Sequence, residues 1–393
     1  MKSYRKILLS FIVIITFQTC IEPFDHKIQD YDDLLIVQGI ITNQKGPHKV
    51  LLTRTLSLNT EDMKYETDAI VTIQDKNGNV EILTEDSPGH YTTRSDFFGE
   101  IDNEYQLTIE TSDNNVYLSE PVKLRKGPDI ENVFTDYREV YSFENDKYEK
   151  GIDIKLNTEE FNDDEKIYLK WDYIETWEIK QKWNAKEVNF TDFSDVEYFR
   201  MDQTERKSCW KDDYSYDILL DELSSYQTNN IKNKVIVHLS ETSPKPYYGY
   251  SILINQYTIN KSVYEFWKFL KENNIDNGSV FDNIPYNPAS NIESCNNDLN
   301  VYGYFDATYL SQKRVHLKSP IENVEFVDFN ENCNLHVMSI DSFLNAQPNP
   351  AYALRVSGDF SIEKTIVYSG QRYCVDCSLV STTEEKPLYW IFK

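Results

Sequence analysis

Two short motifs near the C-terminal end carry the clearest chemical signal in this sequence. Cys333 and His336 form a Cys-x₂-His pair, and Cys374 and Cys377 form a Cys-x₂-Cys pair. Together they offer four ligands of the kind that tetrahedral zinc accepts, and a Cys-x-x-Cys pair is also found in redox sites. In a secreted protein, however, cysteines usually form structural disulfides. The cellular compartment of the protein therefore decides between the zinc, redox and disulfide interpretations.

The N-terminus indicates export. A short basic segment, residues 1–6, precedes the apolar run Ile7–Phe17, which is too short to span a bilayer because a spanning helix needs about 20 residues. This order is typical of a secretory signal peptide. Cys20 follows where a bacterial lipoprotein carries its lipidated cysteine, although an ordinary signal peptide with a coincidental cysteine is the alternative. We predict a signal peptide over 1–19, lipidation of Cys20 and anchoring to a membrane without spanning it.

An exported chain favours disulfides over metal or redox chemistry. Five cysteines beyond Cys20 are disulfide candidates, and their connectivity cannot be read from sequence. They are Cys209, Cys295, Cys333, Cys374 and Cys377. We favour a bond from Cys333 to the Cys374–Cys377 pair. Zinc at Cys333, His336, Cys374 and Cys377 is the weaker alternative, and we predict no cofactor.

Hydrolase signatures are missing from the sequence. It contains no G-x-S-x-G elbow and no H-E-x-x-H motif, and its six histidines are scattered. Because the chain has 65 acidic residues, a pair of catalytic carboxylates cannot be chosen from sequence. The acidic stretch 162–165 offers oxygen ligands for calcium but lacks an EF-hand pattern, so we interpret it as a solvated turn. We predict a non-enzymatic protein.

The charge balance excludes several partners. The formal net charge of −25 becomes −28 once the three basic residues of the signal peptide are removed. Nucleic-acid binding is excluded because phosphate contacts need clusters of Lys and Arg. Adhesion to anionic lipid through a basic patch is excluded for the same reason. Residues 20–33 are rich in acids, and we predict that they form a tether between the lipid and the folded part.

The first folded part has a β pattern. Apolar residues alternate with polar ones at Ala69, Val71 and Ile73, and Asn77-Gly78 is a strong hairpin signal. Several short strands at regular spacing are typical of an antiparallel sandwich. The sequence predicts an immunoglobulin-like β-sandwich over residues 34–127.

The remainder, residues 128–393, predicts a larger β-sandwich-like domain, because alternation continues, for example at Ile167, Leu169 and Trp171. Residues 180–228 are polar and poorly periodic, and we predict a loop-rich insertion there. Ser262 and Glu265 form a capping box that opens one amphipathic helix over about residues 261–273. The overall fold class is therefore mainly β.

Aromatic residues, 14% of the chain, offer candidate binding groups. Those of the insertion and the strand before it are the candidates, with burial against the sheet as the equally weighted alternative. They are Trp177, Trp183, Tyr198, Trp210, Tyr214 and Tyr216. Trp267 on the helix is a further possible ligand platform, which we interpret instead as a core residue.

Several short motifs come in a recognisable order. They are "LIVQGIITNQKGPHKVLLTR" at 35–54, "YTINKSVYEFWKFL" at 257–270, "GSVFDNIP" at 278–285, "NI" at 291–292, "VYGYFDA" at 301–307 and "CVDC" at 374–377. As an ordered set, with the acidic tether, they resemble a family of uncharacterised Bacteroidota outer-membrane surface lipoproteins encoded beside TonB-dependent receptors. The resemblance implies a surface-exposed lipoprotein with an immunoglobulin-like front domain and a β-rich rear domain.

Three functions are compatible with these features. The favoured one is a non-enzymatic accessory of a TonB-dependent receptor in nutrient uptake, and the receptor partner is implied by the resemblance alone. The second is a free-standing surface protein that binds glycan or peptide through the same aromatic residues. The third and weakest is an extracellular hydrolase.

Overall fold

The computed structural model describes residues 34–55, 63–143, 146–163, 165–183, 207–226, 228–276, 290–295, 300–339, 353–357, 365–369, 372–374 and 376–392. The predicted signal peptide, Cys20, the tether and Tyr198 lie outside these ranges. The described part is mainly β, which confirms the predicted fold class. None of its helices is long and apolar enough to cross a membrane.

The strands of the first half are β1 (Leu35–Thr42), β2 (Lys49–Arg54), β3 (Lys64–Tyr65), β4 (Ile70–Asp75), β5 (Val80–Ile82), β6 (Thr84–Ser87), β7 (His90–Thr92), β8 (Glu104–Glu110), β9 (Val116–Ser119), β10 (Val122–Lys123), β11 (Ile130–Ser142), β12 (Lys147–Thr158) and β13 (Tyr168–Lys180). Those of the second half are β14 (Ser208–Tyr214), β15 (Leu219–Glu222), β16 (Lys234–Ser240), β17 (Tyr250–Ile259), β18 (Ile292–Ser294), β19 (Val301–Leu317), β20 (Leu335–Ser339), β21 (Ala353–Ser357) and β22 (Thr365–Ser369). The helix α1 spans Lys261–Asp276, and short 3₁₀ turns occur at Leu223–Ser225, Arg372–Cys374 and Cys377–Leu379.

Ten strands form one long sheet, which we call the shared sheet. Its order is β14-β13-β17-β19-β1-β2-β7-β6, with β15 paired to β13 and β3 paired to β2. A front sheet has the order β18-β9-β8-β4-β5, with β10 paired to β8. A rear sheet has the order β11-β12-β16, and β20-β22-β21 form a fourth, small sheet.

The shared sheet packs against both the front and the rear sheet. Around its β1 half, Val37 and Leu52 are buried against Ile73 and Leu107 of the front sheet. Around its β13 half, Trp171 and other odd-numbered residues of β13 are buried against the rear sheet. The alternation seen in sequence arises because successive side chains of a strand point to opposite faces.

Strand β19 joins the two halves. Its first residues pair in parallel with β1, and the rest pair antiparallel with β17. Phe305 and Ala307 of β19 belong to the core of the front sandwich, together with Ile292 of β18. The predicted division after residue 127 therefore does not separate two self-contained units, because β18 and the first half of β19 complete the front core.

Two residues of the recognised motifs fix this junction. Gly303 adopts φ +105°, and a Cβ atom there would lie 1.8 Å from the carbonyl oxygen of Val37, so only glycine allows β1 to approach. The buried Asn291 amide accepts from the Phe305 N–H at 3.0 Å and donates to the Phe305 carbonyl at 2.8 Å. This pair of bonds holds the segment before β18 against β19.

The predicted insertion is more regular than expected. Strands β14 and β15, both within residues 180–228, pair with β13 and extend the shared sheet. The predicted loop-rich insertion thus contains these two short strands, whose sequences SCWKDDY and LLDE carry little apolar periodicity. Residues 184–206 lie outside the described ranges.

Helix α1 begins two residues earlier than the capping box indicates. The Tyr264 N–H donates to the Asn260 carbonyl at 2.9 Å, so Asn260 and not Ser262 precedes the first turn. Val263 and Phe266 are buried with Tyr304 of β19. This packing confirms the predicted amphipathic helix and places it on the outer face of the shared sheet.

A buried carboxylate holds the start of this helix. Asp306 of β19 is fully buried and accepts from the Asn260 backbone N–H at 3.1 Å and from the Asn260 side-chain amide at 2.5 Å. The Asn260 amide also donates to the Lys123 carbonyl at 3.2 Å. Burial raises the pKa of Asp306 to about 7, although the hydrogen bonds from Asn260 oppose this shift.

We expect Asp306 to make stability depend on pH. Its folded pKa of about 7 exceeds the model-compound value of 3.8, so between these values the folded state binds more protons than the unfolded chain. The stabilisation that Asp306 provides is therefore fully present below about pH 4 and is lost as the pH rises through about 7. From about pH 4.5 to 7.5, the free energy of unfolding should fall less in Asp306→Asn than in the wild type, as measured by urea denaturation. An identical pH dependence in both proteins would contradict this assignment.

Candidate functional site

The outer face of the shared sheet is covered at its two ends and open between them. At one end lies α1, whose residues Phe266 and Trp267 contact Tyr304. At the other end lies the C-terminal segment, where the Tyr389 carbonyl accepts from His316 at 2.9 Å and the Tyr389 ring stacks 3.6 Å from the Arg314 guanidinium. The interval between these covers is a groove.

We call this cleft the sheet-face groove. Its volume is about 390 Å³. Its lining combines aromatic, amide and acidic side chains, namely Lys170, Asp172, Tyr173, Ile174, Tyr214, Ser215, Tyr216, Asp217, Ile218, Asn255, Tyr257 and Trp267. Volume and lining are those of a ligand site, in which apolar walls surround a few placed polar groups.

A row of hydrogen-bonding side chains crosses three strands: it begins on the groove floor at Asp172 and Asn255 and continues beyond the groove lining to Gln312. Asp172 on β13, Asn255 on β17 and Gln312 on β19 are register partners. The Asn255 amide donates to Asp172 at 2.7 Å, and Asn255 accepts from Gln312 at 2.8 Å. Directly paired residues share a sheet face, so the row follows from strand register and is invisible in sequence.

One wall holds a cation between two rings. The Lys170 ammonium lies 5.3 Å from the centroid of Tyr257 and 5.0 Å from that of Trp267, and 3.4 Å from Asp172. Burial, and then the charge of Asp172, raises the pKa of Tyr257. The Tyr257 hydroxyl is therefore a neutral hydrogen-bond donor at physiological pH.

The structure divides the six predicted aromatic candidates. Tyr214 and Tyr216 lie in the groove and are 59% and 87% exposed. Trp177 and Trp210 are buried and cover the sheet, which is the alternative that the sequence left open. Trp183 is half-buried, and its backbone N–H donates to the Cys374 carbonyl at 3.0 Å.

Other groove residues escaped sequence analysis. Trp267, interpreted as a core residue, is half-buried and lines the groove as well as contacting Tyr304. Asp172 and Asn255 gave no signal because acids and amides are abundant in the chain. Their position on one face of neighbouring strands becomes apparent only when the pairing of β13 with β17 is known.

The cysteines form two disulfides, Cys209–Cys377 and Cys333–Cys374. They attach the C-terminal segment to β14 and to the loop before β20. The alternative zinc set is therefore wrong for this structure, because three of its four ligands are sulfurs already bonded to another sulfur. Its fourth member, His336, is exposed on β20, and Cys295 is an exposed free cysteine.

A larger cleft, of about 560 Å³, lies between β10 and the start of α1. Its cationic groups are paired with carboxylates. Arg125 contacts Asp163 at 3.0 Å and Glu165 at 2.7 Å, and Lys123 contacts Asp102 at 2.9 Å. This pairing gives the acidic stretch 162–165 a structural role, and it neutralises the cleft, so we do not assign a ligand there.

A second cluster of charged groups lies on the opposite face of β13. Glu175 is buried and accepts from the Tyr250 hydroxyl at 2.7 Å and from Lys245 at 2.6 Å, and Lys245 also contacts Asp213 at 3.2 Å. The Lys245 ammonium lies 4.8 Å from the centroid of Trp177. Because each of these charges has a partner, the cluster leaves no uncompensated charge in the rear sandwich, and we do not assign a ligand there.

Comparison with known protein families identifies one match. The family described as "Domain of unknown function (DUF4249)" matches residues 21–314, about three quarters of the chain. The chain belongs to this family. The match contains β19 as far as Arg314 and therefore every residue that lines the groove. A search of curated proteins gave no match.

Exposed and buried aromatic residues should respond differently to truncation. Trp177→Ala should lower the free energy of unfolding by about 3–5 kcal/mol, since it removes a buried side chain. Tyr216→Ala should change it by no more than about 0.5 kcal/mol. Chemical denaturation of the two variants measures this contrast. A large loss in Tyr216→Ala would show that this ring supports the fold and is not free for a ligand.

The disulfide pattern is open to direct mapping. Digestion without reduction, after alkylation of free thiols, should give linked peptides for Cys209–Cys377 and Cys333–Cys374 by mass spectrometry, with Cys295 alkylated. Reduction should cost about 2–4 kcal/mol of stability for each bond. Alkylation of Cys333, Cys374 and Cys377 together, with bound zinc in the native mass, would contradict the pattern and restore the zinc alternative.

Proposed function

We propose that this protein is a lipid-anchored outer-membrane component that binds ligand at the cell surface for a TonB-dependent receptor and catalyses no reaction. The sheet-face groove is the observation that carries the binding role. It is open, it has exposed rings of Tyr214 and Tyr216 on one wall, and its floor is a row of amide and carboxylate groups. Such sites fix a ligand by a few polar contacts within an apolar frame.

The anchor is supported by the sequence. Cys20 directly follows the signal-like segment, and the family match begins at the next residue, 21. The acidic tether and the strongly negative chain keep the folded part away from anionic lipid by charge repulsion. This arrangement fits a protein held at a membrane surface by its lipid and facing the cell exterior.

The receptor is supported by the family resemblance and by a second exposed surface. The β11–β12 hairpin extends beyond its neighbour β16. Residues 147–150 of β12 pair only with β11, and pairing of β12 with β16 begins at Gly151. At its tip Phe143 and Tyr148 are 90% and 69% exposed, and both rings contact Tyr141. Exposed aromatic residues of this kind are typical anchors of protein interfaces. The tip and the groove lie on different sheets, so ligand and receptor would not compete.

A free-standing surface binder is the second candidate. The same groove supports this second candidate, since the groove is lined by described residues of this chain alone. The two candidates differ in whether the protein forms a stable complex with a membrane partner. An extracellular hydrolase is the weakest candidate, and turnover abolished by a single carboxylate substitution would favour it.

Isolation from native membranes tests the proposal. A tagged protein, extracted in mild detergent, should recover one large β-barrel receptor in near-equal amount by mass spectrometry. Phe143→Ala/Tyr148→Ala should reduce that recovery about tenfold or more, because hot-spot aromatics contribute about 2 kcal/mol each. Tyr65→Ala, an exposed tyrosine of the front sandwich, is the matched control and should leave recovery unchanged.

The anchor has its own control in the same preparation. Cys20→Ala should move the protein from the membrane fraction to the soluble fraction, since the lipid is then absent. Recovery of the wild-type protein alone in several mild detergents would reject the receptor complex and favour the free-standing binder.

A further inference from the structure

The polar row that begins on the groove floor and continues past it to Gln312 has a length that indicates the size of the ligand. Asp172, Asn255 and Gln312 lie on three adjacent strands, and two inter-strand spacings of about 4.8 Å cover roughly 10 Å. The row runs perpendicular to the strands and begins beside the rings of Tyr214 and Tyr216. A ligand that contacts both features is longer than one small monomer.

The row has hydrogen-bonding capacity left at both ends. The Asp172 carboxylate has about four acceptor positions, of which Asn255, Tyr257 and Lys170 use three, and it is 33% exposed. Gln312 is exposed, and its carbonyl oxygen makes no bond within the ranges that the structure describes. The buried Asn255 holds both ends in place. Asp172 can only accept hydrogen bonds, whereas the Gln312 amide can both donate and accept. Hydroxyl groups suit both ends, because a hydroxyl group also donates and accepts.

The aromatic walls add a second kind of contact. Tyr214 and Tyr216 present largely exposed rings, and Trp267 also lines the groove. Exposed rings next to amides and carboxylates fit a ligand with apolar C–H faces and polar edges. Sugar rings have both.

A peptide strand fits this site less well. Main-chain recognition of a peptide by strand addition requires an unpaired sheet edge. Along the floor, β17 is paired on both sides, with β13 and with β19. On the floor strand β17 the ligand therefore meets side chains of a sheet face and no unpaired edge.

The charge of the groove selects against anionic ligands. Its lining includes Asp172 and Asp217, and the only cation in the lining is Lys170, which lies 3.4 Å from Asp172. An added carboxylate or sulfate would face like charges and would find its one possible counter-ion already paired. A neutral ligand avoids this repulsion.

We infer that the sheet-face groove binds a neutral oligosaccharide chain. Tyr214 and Tyr216 stack on sugar rings, and Asp172 and Gln312 bond to hydroxyl groups, with Asn255 positioning both. This inference rests on the proposed binding role and names the ligand class of that site.

Calorimetric titration of the purified full-length protein in detergent tests it. The probes are neutral gluco-, manno-, xylo- and N-acetylglucosamine oligosaccharides of two to six units, with oligogalacturonate as the anionic comparison and a mixed tripeptide–hexapeptide pool as the peptide comparison. At least one neutral oligosaccharide should bind, and its longer forms should bind more tightly than the disaccharide. Oligogalacturonate and the peptide pool should not bind.

Groove variants locate the binding. Tyr214→Ala/Tyr216→Ala should weaken association about tenfold or more, and Gln312→Ala about fivefold, the losses expected for stacking and for one hydrogen bond. Tyr137→Ala removes an exposed tyrosine of the rear sheet and should leave the affinity unchanged. Thermal unfolding checks that each variant is folded. We expect each to be folded, since both tyrosines and Gln312 are exposed.

Three outcomes would overturn the inference. They are the absence of neutral oligosaccharide binding, binding that the groove variants do not weaken, and preferential binding of peptide or of the anionic glycan at the groove. The receptor pull-down separates these results from the proposed function. Recovery of a receptor without glycan binding removes the ligand class alone, whereas glycan binding without a receptor removes the receptor complex alone.

Discussion

Strand β19 is the constraint on which the rest of the structure depends. Its first residues pair with β1 and its later ones with β17, so one continuous strand carries both sandwiches. The parallel approach of β1 requires Gly303, since a Cβ there would overlap the Val37 carbonyl. Because both hydrophobic cores include strands of the shared sheet, we expect them to unfold together.

The same strand controls the functional face. Asp306 of β19 anchors Asn260 at the start of α1, and Tyr304 supports Trp267 from below. Farther along, Arg314 and His316 hold the C-terminal segment through Tyr389. One strand thus positions both covers of the outer face, and the groove is the interval that they leave open. The buried carboxylate of Asp306, at the α1 end, is tolerated because Asn260 and Ala307 donate hydrogen bonds to it.

Hydrogen-bonded side chains and aromatic rings play separate parts in this molecule. Where aromatic rings are buried, as for Trp171 and Trp177, they fill the core, and lysine ammonium groups lie over their faces. Where they are exposed, as for Tyr216, they border a polar floor. Residue type does not determine whether an aromatic ring is buried or exposed. The position of the residue does, namely which face of β13 it occupies or whether it lies outside that strand.

Much of the fold was determined by sequence, because periodicity, turn residues and apolar runs are local properties. The Asn77-Gly78 turn joins β4 to β5, and the amphipathic pattern after Asn260 forms α1. Disulfides were expected from the predicted signal peptide, and Tyr214 and Tyr216 stood out by type. The disulfide connectivity, the completion of the front core by β18 and β19, and the row from Asp172 to Gln312 were decided only by tertiary structure. Each joins residues that are distant in sequence, and strand register, which no local pattern encodes, brings them to one face.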